Sequence, residues 1–107
     1  MSLDVYLYAV RKTEIFDANI THNLTAMASD AGIYKALWRP EEIGITHAEQ
    51  LIPILRDGLE KLRAEPDRYR ARNPSNGWGS YEGLVAFVDK YLEACIGNPD
   101  AEVSVSR

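Results

Sequence analysis

Both ends of the chain alternate apolar and polar residues with a period of two, while the apolar residues between them recur every three to four positions. In residues 3–10, Leu3, Val5, Leu7 and Ala9 fall on one face and Asp4, Tyr6, Tyr8 and Val10 on the other. The closing segment, residues 101–106, alternates in the same way. A period of two describes a strand with one buried face. A pair of strands is marginal in water unless helices cover its apolar side, so the two ends are expected to pair beneath the helical middle. The predicted fold is α+β: a small sheet formed by the N- and C-terminal strands, with residues 13–16 as a candidate third strand, packed against three main helices. Residues 1–107 suit a single globular domain, because a chain of this length builds one core.

Local signals place the helices. Asn19 or Thr21 can cap the first, whose stripe is Ile20, Leu24, Met27, Ala28 and Ala31, and Gly32 stops it with Ile33 folding back on Ala28. Pro40 pushes Arg39 out of helical geometry, and Pro40-Glu41-Glu42 suits one isolated turn. Thr46 and Glu49 have capping-box spacing ahead of Leu51, Leu55, Leu59 and Leu62; Pro53 predicts a kink or restart there, and Gly58 a close approach of another backbone. Ser80 caps the last helix, with Leu84, Val85, Phe87, Val88, Tyr91, Leu92 and Cys95 as its apolar face and Gly97 with Pro99 as its end.

Composition narrows the function classes. A net charge of −4, with twelve basic residues scattered among sixteen acidic ones, demands neither nucleic-acid mimicry nor phosphate-backbone binding. Arg63, Arg68, Arg70 and Arg72 with Tyr69 form the only basic cluster, diluted by Glu60, Glu65 and Asp67, and read as a solvated face rather than a nucleic-acid track. No apolar run is long enough to span a membrane, and no basic start precedes an apolar core as in an export signal. The single cysteine, Cys95, lies on a helical apolar stripe as a small hydrophobe, and a cytoplasmic location is expected. No function is placed on Met1, Ser2 or Leu3.

The strings Asn19-Ile20-Thr21-His22-Asn23-Leu24, Leu37-Trp38-Arg39-Pro40-Glu41-Glu42-Ile43-Gly44 and Asn73-Pro74-Ser75-Asn76-Gly77-Trp78-Gly79-Ser80-Tyr81-Glu82, with the ending from Pro99, resemble a family of small uncharacterised bacterial and bacteriophage proteins. The resemblance runs over nearly the whole chain. It implies a short cytosolic microbial or phage protein and carries no catalytic role to any residue.

Chemistry-bearing residues gather at loops and helix starts. Asn76 and Trp78, in the glycine-rich segment 73–79, can join free amides to a flat indole, as a pocket for a polar or aromatic ligand needs; against this, tryptophan is usually buried, which favours a structural turn with Trp78 plugging the core. His22 and Asn23 open the first helix, where they can hold an anion or simply cap their own turn, and capping accounts for the residue mix. Arg39 beside Trp38 can recognise a carboxylate or phosphate, but Glu41 and Glu42 are nearer partners. His22, His47, Asp17, Glu82 and Cys95 show no metal-ligand spacing, no nucleophile motif is present, and neither metal nor cofactor is expected.

The leading expectation is a non-catalytic binding or regulatory module for a small polar ligand or a protein partner, with a surface built from His22, Asn23, Trp38, Arg39, Asn76, Trp78 and Glu82. The first alternative is a small hydrolase or transferase with His22 as general acid–base, oriented by Glu82 or Asp17. The second is a structural protein that self-associates as a homodimer through the edges of its terminal strands.

Overall fold

The computed structural model describes residues 1–9 and 13–107, so Val10 on the outer strand face and the interruption at Arg11 and Lys12 lie outside the described residues. Three strands, β1 (Ser2–Tyr8), β2 (Glu14–Thr21) and β3 (Glu102–Ser106), form an antiparallel sheet in the order β2-β1-β3. The terminal strands pair as their alternation predicts, Val5 opposite Val105 and Leu7 opposite Val103. Leu3, Val5 and Leu7 are fully buried. Because β1 is central, the N-terminal strand has no open edge, and any strand-edge association falls to β2 or β3.

The candidate third strand is real but twice the expected length. Ile20 pairs with Leu3 inside β2 and does not join a helical stripe, and Asn19 pairs with Asp4, which leaves Thr21 as the only cap of the two proposed. Thr21 accepts the Asn23 amide at 3.3 Å and starts a 3-10 turn, His22–Leu24, ahead of the short helix α1 (Thr25–Asp30). Gly32 (φ 79°) ends α1 with its amide on Ser29 O at 3.0 Å and that of Ile33 on Ala28 O at 2.9 Å, the two bonds of a glycine-stopped helix end. Helix α2 (Tyr34–Trp38) then buries Ala36, Leu37 and Trp38, and the 3-10 turn Pro40–Ile43 follows.

Helix α3 (Ala48–Ala64) begins beyond the predicted cap. Thr46 O accepts the Val103 amide at 2.9 Å and His47 bridges Glu102, so this stretch is held extended by β3 and cannot enter the helix. Gln50, not Glu49, closes the start, its Oε1 accepting the amides of Thr46 at 2.7 Å and His47 at 2.9 Å. The first-turn amides of Ala48 and Glu49 donate to Ala101 O and Pro99 O at 2.8 and 3.0 Å. The restart expected at Pro53 does not occur, since a proline near the helix start removes only one bond from a helix anchored at that end. Gly58 does meet a close neighbour, but it is the Ile33 side chain rather than a backbone.

After α4 (Pro66–Arg70), helix α5 (Tyr81–Gly97) is capped by Ser80, which accepts the Gly83 amide at 3.0 Å. Gly97 is its last residue rather than a left-handed stop, and the Asn98 side chain closes the end by donating to Ala94 O at 3.0 Å. α5 runs antiparallel to α3, with Arg63 facing Asp89 and the Tyr81 hydroxyl donating to Leu62 O at 2.7 Å. It meets the sheet through Tyr91, stacked on Phe16 with ring centroids 5.8 Å apart. The Tyr91 hydroxyl is buried with no partner among the described residues, and burial pushes its phenol well above the ordinary value. An unpaired buried hydroxyl costs about 1–3 kcal/mol, so Tyr91→Phe is expected to raise stability in urea unfolding by about 1 kcal/mol; a comparable loss would show that the hydroxyl is bonded.

Candidate functional site

Where β2 leaves the sheet, the chain turns through Thr21, His22 and Asn23 beside the first residues of β1. The glycine-rich loop before α5 folds onto this turn. Its shape follows from local chemistry: Asn76 Oδ1 accepts the Trp78 amide at 3.0 Å, the Gly77 amide reaches Pro74 O at 3.2 Å, and Gly77 and Gly79 take φ of 77° and 102°. Asn73 Oδ1 holds the Tyr81 amide at 2.8 Å, and Asn23 Nδ2 donates to Trp78 O at 3.4 Å, tying the loop to the turn. Between them lies a pocket of about 550 Å³, lined by Met1, Ser2, Asn19, Thr21, His22, Asn23, Asn76 and Trp78.

Trp78 does not plug the core. It is 69% exposed, and the next residue, Gly79, is the one set against Thr21 and Leu24. None of the lining side chains is an acid, a lysine or an arginine. Asn19 uses its Nδ2 on Ser2 Oγ at 2.9 Å and Asp4 Oδ1 at 2.6 Å, which leaves its Oδ1 as an acceptor. Asn23 likewise keeps Oδ1, Asn76 keeps its Nδ2 donors, and the Ser2 and Thr21 hydroxyls retain a donor each. The wall is therefore a mixture of side-chain donors and acceptors beside an open indole face, with Met1, which carries the α-amino group, among the lining residues.

His22, Asn23, Asn76 and Trp78 thus share one pocket, and the other proposed site residues lie elsewhere. Trp38 is 3% exposed, stacked on Tyr34 at 5.8 Å, and touches the His22 ring edge-on from the core side at 6.2 Å, so it offers no platform to a ligand. Arg39 donates to Tyr34 Oη at 3.2 Å and Glu42 Oε2 at 3.4 Å. Glu82 accepts from Arg70 Nε at 2.7 Å, and this bond holds its carboxyl below the usual range. Met1, Ser2, Asn19 and Thr21 line the pocket without having been among the proposed site residues; for Ser2 the strand alternation that puts it with Asp4 on the outer face of β1 was the available signal.

The acid–base pairing of His22 with Asp17 or Glu82 has no counterpart in this geometry. Among the described residues no hydrogen bond or ion pair joins His22 to a carboxylate, and its Nε2 is buried without a partner. Each arginine of the basic cluster has a carboxylate partner: Arg63 with Asp89, Arg68 with Asp30 and Glu65, Arg70 with Glu82 and Asp67, Arg72 with Asp30. Tyr69 is 1% exposed and cannot stack on a base. Burial pushes the Cys95 thiol up to about 12, so it stays protonated near neutral pH. Among the described residues no group of three or more His, Cys, Asp or Glu is placed to hold a metal ion, and no helix is long and apolar enough to cross a membrane. No protein-family model, curated protein or solved structure matches the chain.

Proposed function

We propose that the chain is a non-catalytic binding module of the cytosol whose ligand is a neutral polyhydroxylated ring, of the kind a sugar presents, held in the pocket between the β2 turn and the Trp78 loop. The observation that carries this reading is an indole left 69% exposed beside side-chain amides and hydroxyls that bear no formal charge. Each ligand hydroxyl both donates and accepts, which suits a wall where free Asn oxygens alternate with free Asn and hydroxyl donors. The apolar C–H face of such a ring would lie on the indole. A volume of about 550 Å³ is in the range of small-molecule sites.

The test is a thermal-shift and calorimetric panel of mono- and disaccharides, with nucleotides and carboxylic acids as charged controls. A saccharide at a hundred times its dissociation constant should stabilise the fold by about 2.7 kcal/mol. Trp78→Ala should weaken that binding roughly tenfold, the size of one lost stacking contact, and leave the unliganded melting temperature unchanged. Response only to the charged controls, or saccharide binding indifferent to Trp78→Ala, would reject the reading.

A further inference from the structure

The helices cover one face of the sheet only. Leu3, Val5 and Leu7 are fully buried beneath them, and Phe16, Val103 and Val105 pack against the same core. Alternation sends the residues between these to the other face. There Asp4 stands opposite Asn19, Tyr6 opposite Asp17, and Tyr8 opposite Glu14 on one side and Glu102 on the other, a register shift between Leu7 and Tyr8 bringing Glu14 into line. Tyr6 and Tyr8 are half-buried and stack along β1 with ring centroids 6.1 Å apart, and Asp17 and Glu14 beside them are exposed. No residue of the three strands is basic. Tyr6 registers the resulting field: its phenol is pushed above the ordinary value by desolvation first, and then by Asp4, Tyr8, Glu14 and Asp17.

We infer that this uncovered face docks an arginine-bearing segment of a protein partner. Charge decides among the occupants. A second copy laid on the face would set carboxylates against carboxylates, and nucleic acid or an anionic membrane would be repelled in the same way. For a metal ion, the described residues offer no group of three or more ligating side chains. What fits phenol rings flanked by carboxylates is a flat, weakly hydrated cation. A guanidinium stacks on a tyrosine ring and carries its N–H donors to an acid beside it. Tyr6 with Asp17 and Tyr8 with Glu14 are two such pairs. Residues directly opposite on antiparallel strands stand about 5 Å apart, and successive residues on one face of a strand about 7 Å apart. The two pairs therefore repeat at the spacing of alternate residues in an extended chain, so two arginines separated by one residue fill both. None of these four residues lines the pocket at the β2 turn, and the two sites answer to separate variants.

Fluorescence anisotropy of labelled hexa-arginine, titrated with the full chain at low salt, tests the site, with hexa-lysine as the probe of equal charge. Hexa-arginine should bind roughly threefold tighter or more, because the compact ammonium of lysine makes neither the planar stack nor the forked bond. Asp17→Asn and Tyr6→Thr should each weaken hexa-arginine binding about threefold, and together about tenfold. Glu60→Gln removes the same charge from an exposed position on α3 and should leave the affinity unchanged, which separates docking on the sheet from the general attraction of an acidic chain for a polycation. Threonine suits a strand, and Asp17→Asn keeps the side-chain shape, so circular dichroism should match across the set; Asp17→Asn carries the test alone where Tyr6→Thr lowers the melting temperature. Absence of binding up to about 1 mM overturns the inference, as does equal affinity for the two peptides or a loss with Asp17→Asn no larger than that with Glu60→Gln.

Discussion

Gly79→Ala is expected to lower stability by about 2–4 kcal/mol, a fall of roughly 10–20 °C in melting temperature, and to abolish ligand binding in the pocket. Two separate costs combine. A side chain at φ 102° is strained by about 1–3 kcal/mol whatever its surroundings. In addition, a Cβ there would stand 2.7 Å from Thr21 Cγ2 and 3.0 Å from Leu24 Cγ, and Leu24 is 1% exposed and cannot swing into water. Relief requires the Trp78 loop to lift off the turn that carries His22 and Asn23, which opens the pocket. Gly77→Ala supplies the control: φ is 77°, but nothing lies within 4 Å of its added Cβ, so only the backbone strain of about 1–2 kcal/mol should appear. Chemical denaturation of both variants separates the terms. Equal losses at the two glycines would mean that the loop does not rest on the turn as described.

The same contact explains why the fold was more legible than the site. Leu3, Val5 and Leu7 at one end and Val103 and Val105 at the other announce strands through alternation that any register preserves, and Ser80 and Gly32 act on amides within a few residues of themselves. What misled local reading was each place where a distant segment overrode it. Ile20 stands four residues before Leu24 and fits a helical stripe as well as a strand; only its pairing with Leu3 decides between them. Thr46 has the spacing of a helix cap, but β3, more than fifty residues further on, pulls it into a bridge. For the pocket, residue type could bring His22, Asn23, Asn76 and Trp78 forward, since amides and indoles at turns are where ligands bind. It could not say that Trp78 points outward, that Trp38 is buried against Tyr34, or that Arg39 and Glu82 are occupied by Glu42 and Arg70. Ser2 and Asn19 enter the wall because antiparallel pairing lays the start of β1 beside the end of β2, and that neighbourhood exists only in the assembled sheet.

A double substitution at the α3 crossing puts the packing to a sharper test, because helix propensity and sterics predict opposite signs. In the interior of a 17-residue helix, Gly58→Ala should gain about 1 kcal/mol from reduced backbone freedom. The added Cβ, however, would lie 2.2 Å from Ile33 Cγ2, well inside contact distance. That methyl branches directly from Cβ, and the Ile33 backbone is tied by its amide to Ala28 O at 2.9 Å, so the clash cannot be relieved by rotating a chain end. Overpacking of this kind costs about 1–3 kcal/mol or more and outweighs the propensity gain, giving an expected net loss of about 2 kcal/mol for Gly58→Ala. Ile33→Ala alone should cost about 2–5 kcal/mol, as Ile33 is 1% exposed and leaves a cavity facing Gly58. In that background Gly58→Ala reverses sign: the clash is gone, the new methyl occupies part of the cavity, and the gain of about 1 kcal/mol from propensity emerges. The coupling between the two positions is then about 3 kcal/mol, the upper end for residues in contact, and a urea double-mutant cycle measures it directly. If Gly58→Ala cost the same with and without Ile33, the glycine would be there for some reason other than this side chain, and the crossing of α3 over the segment before α2 would have to be redrawn.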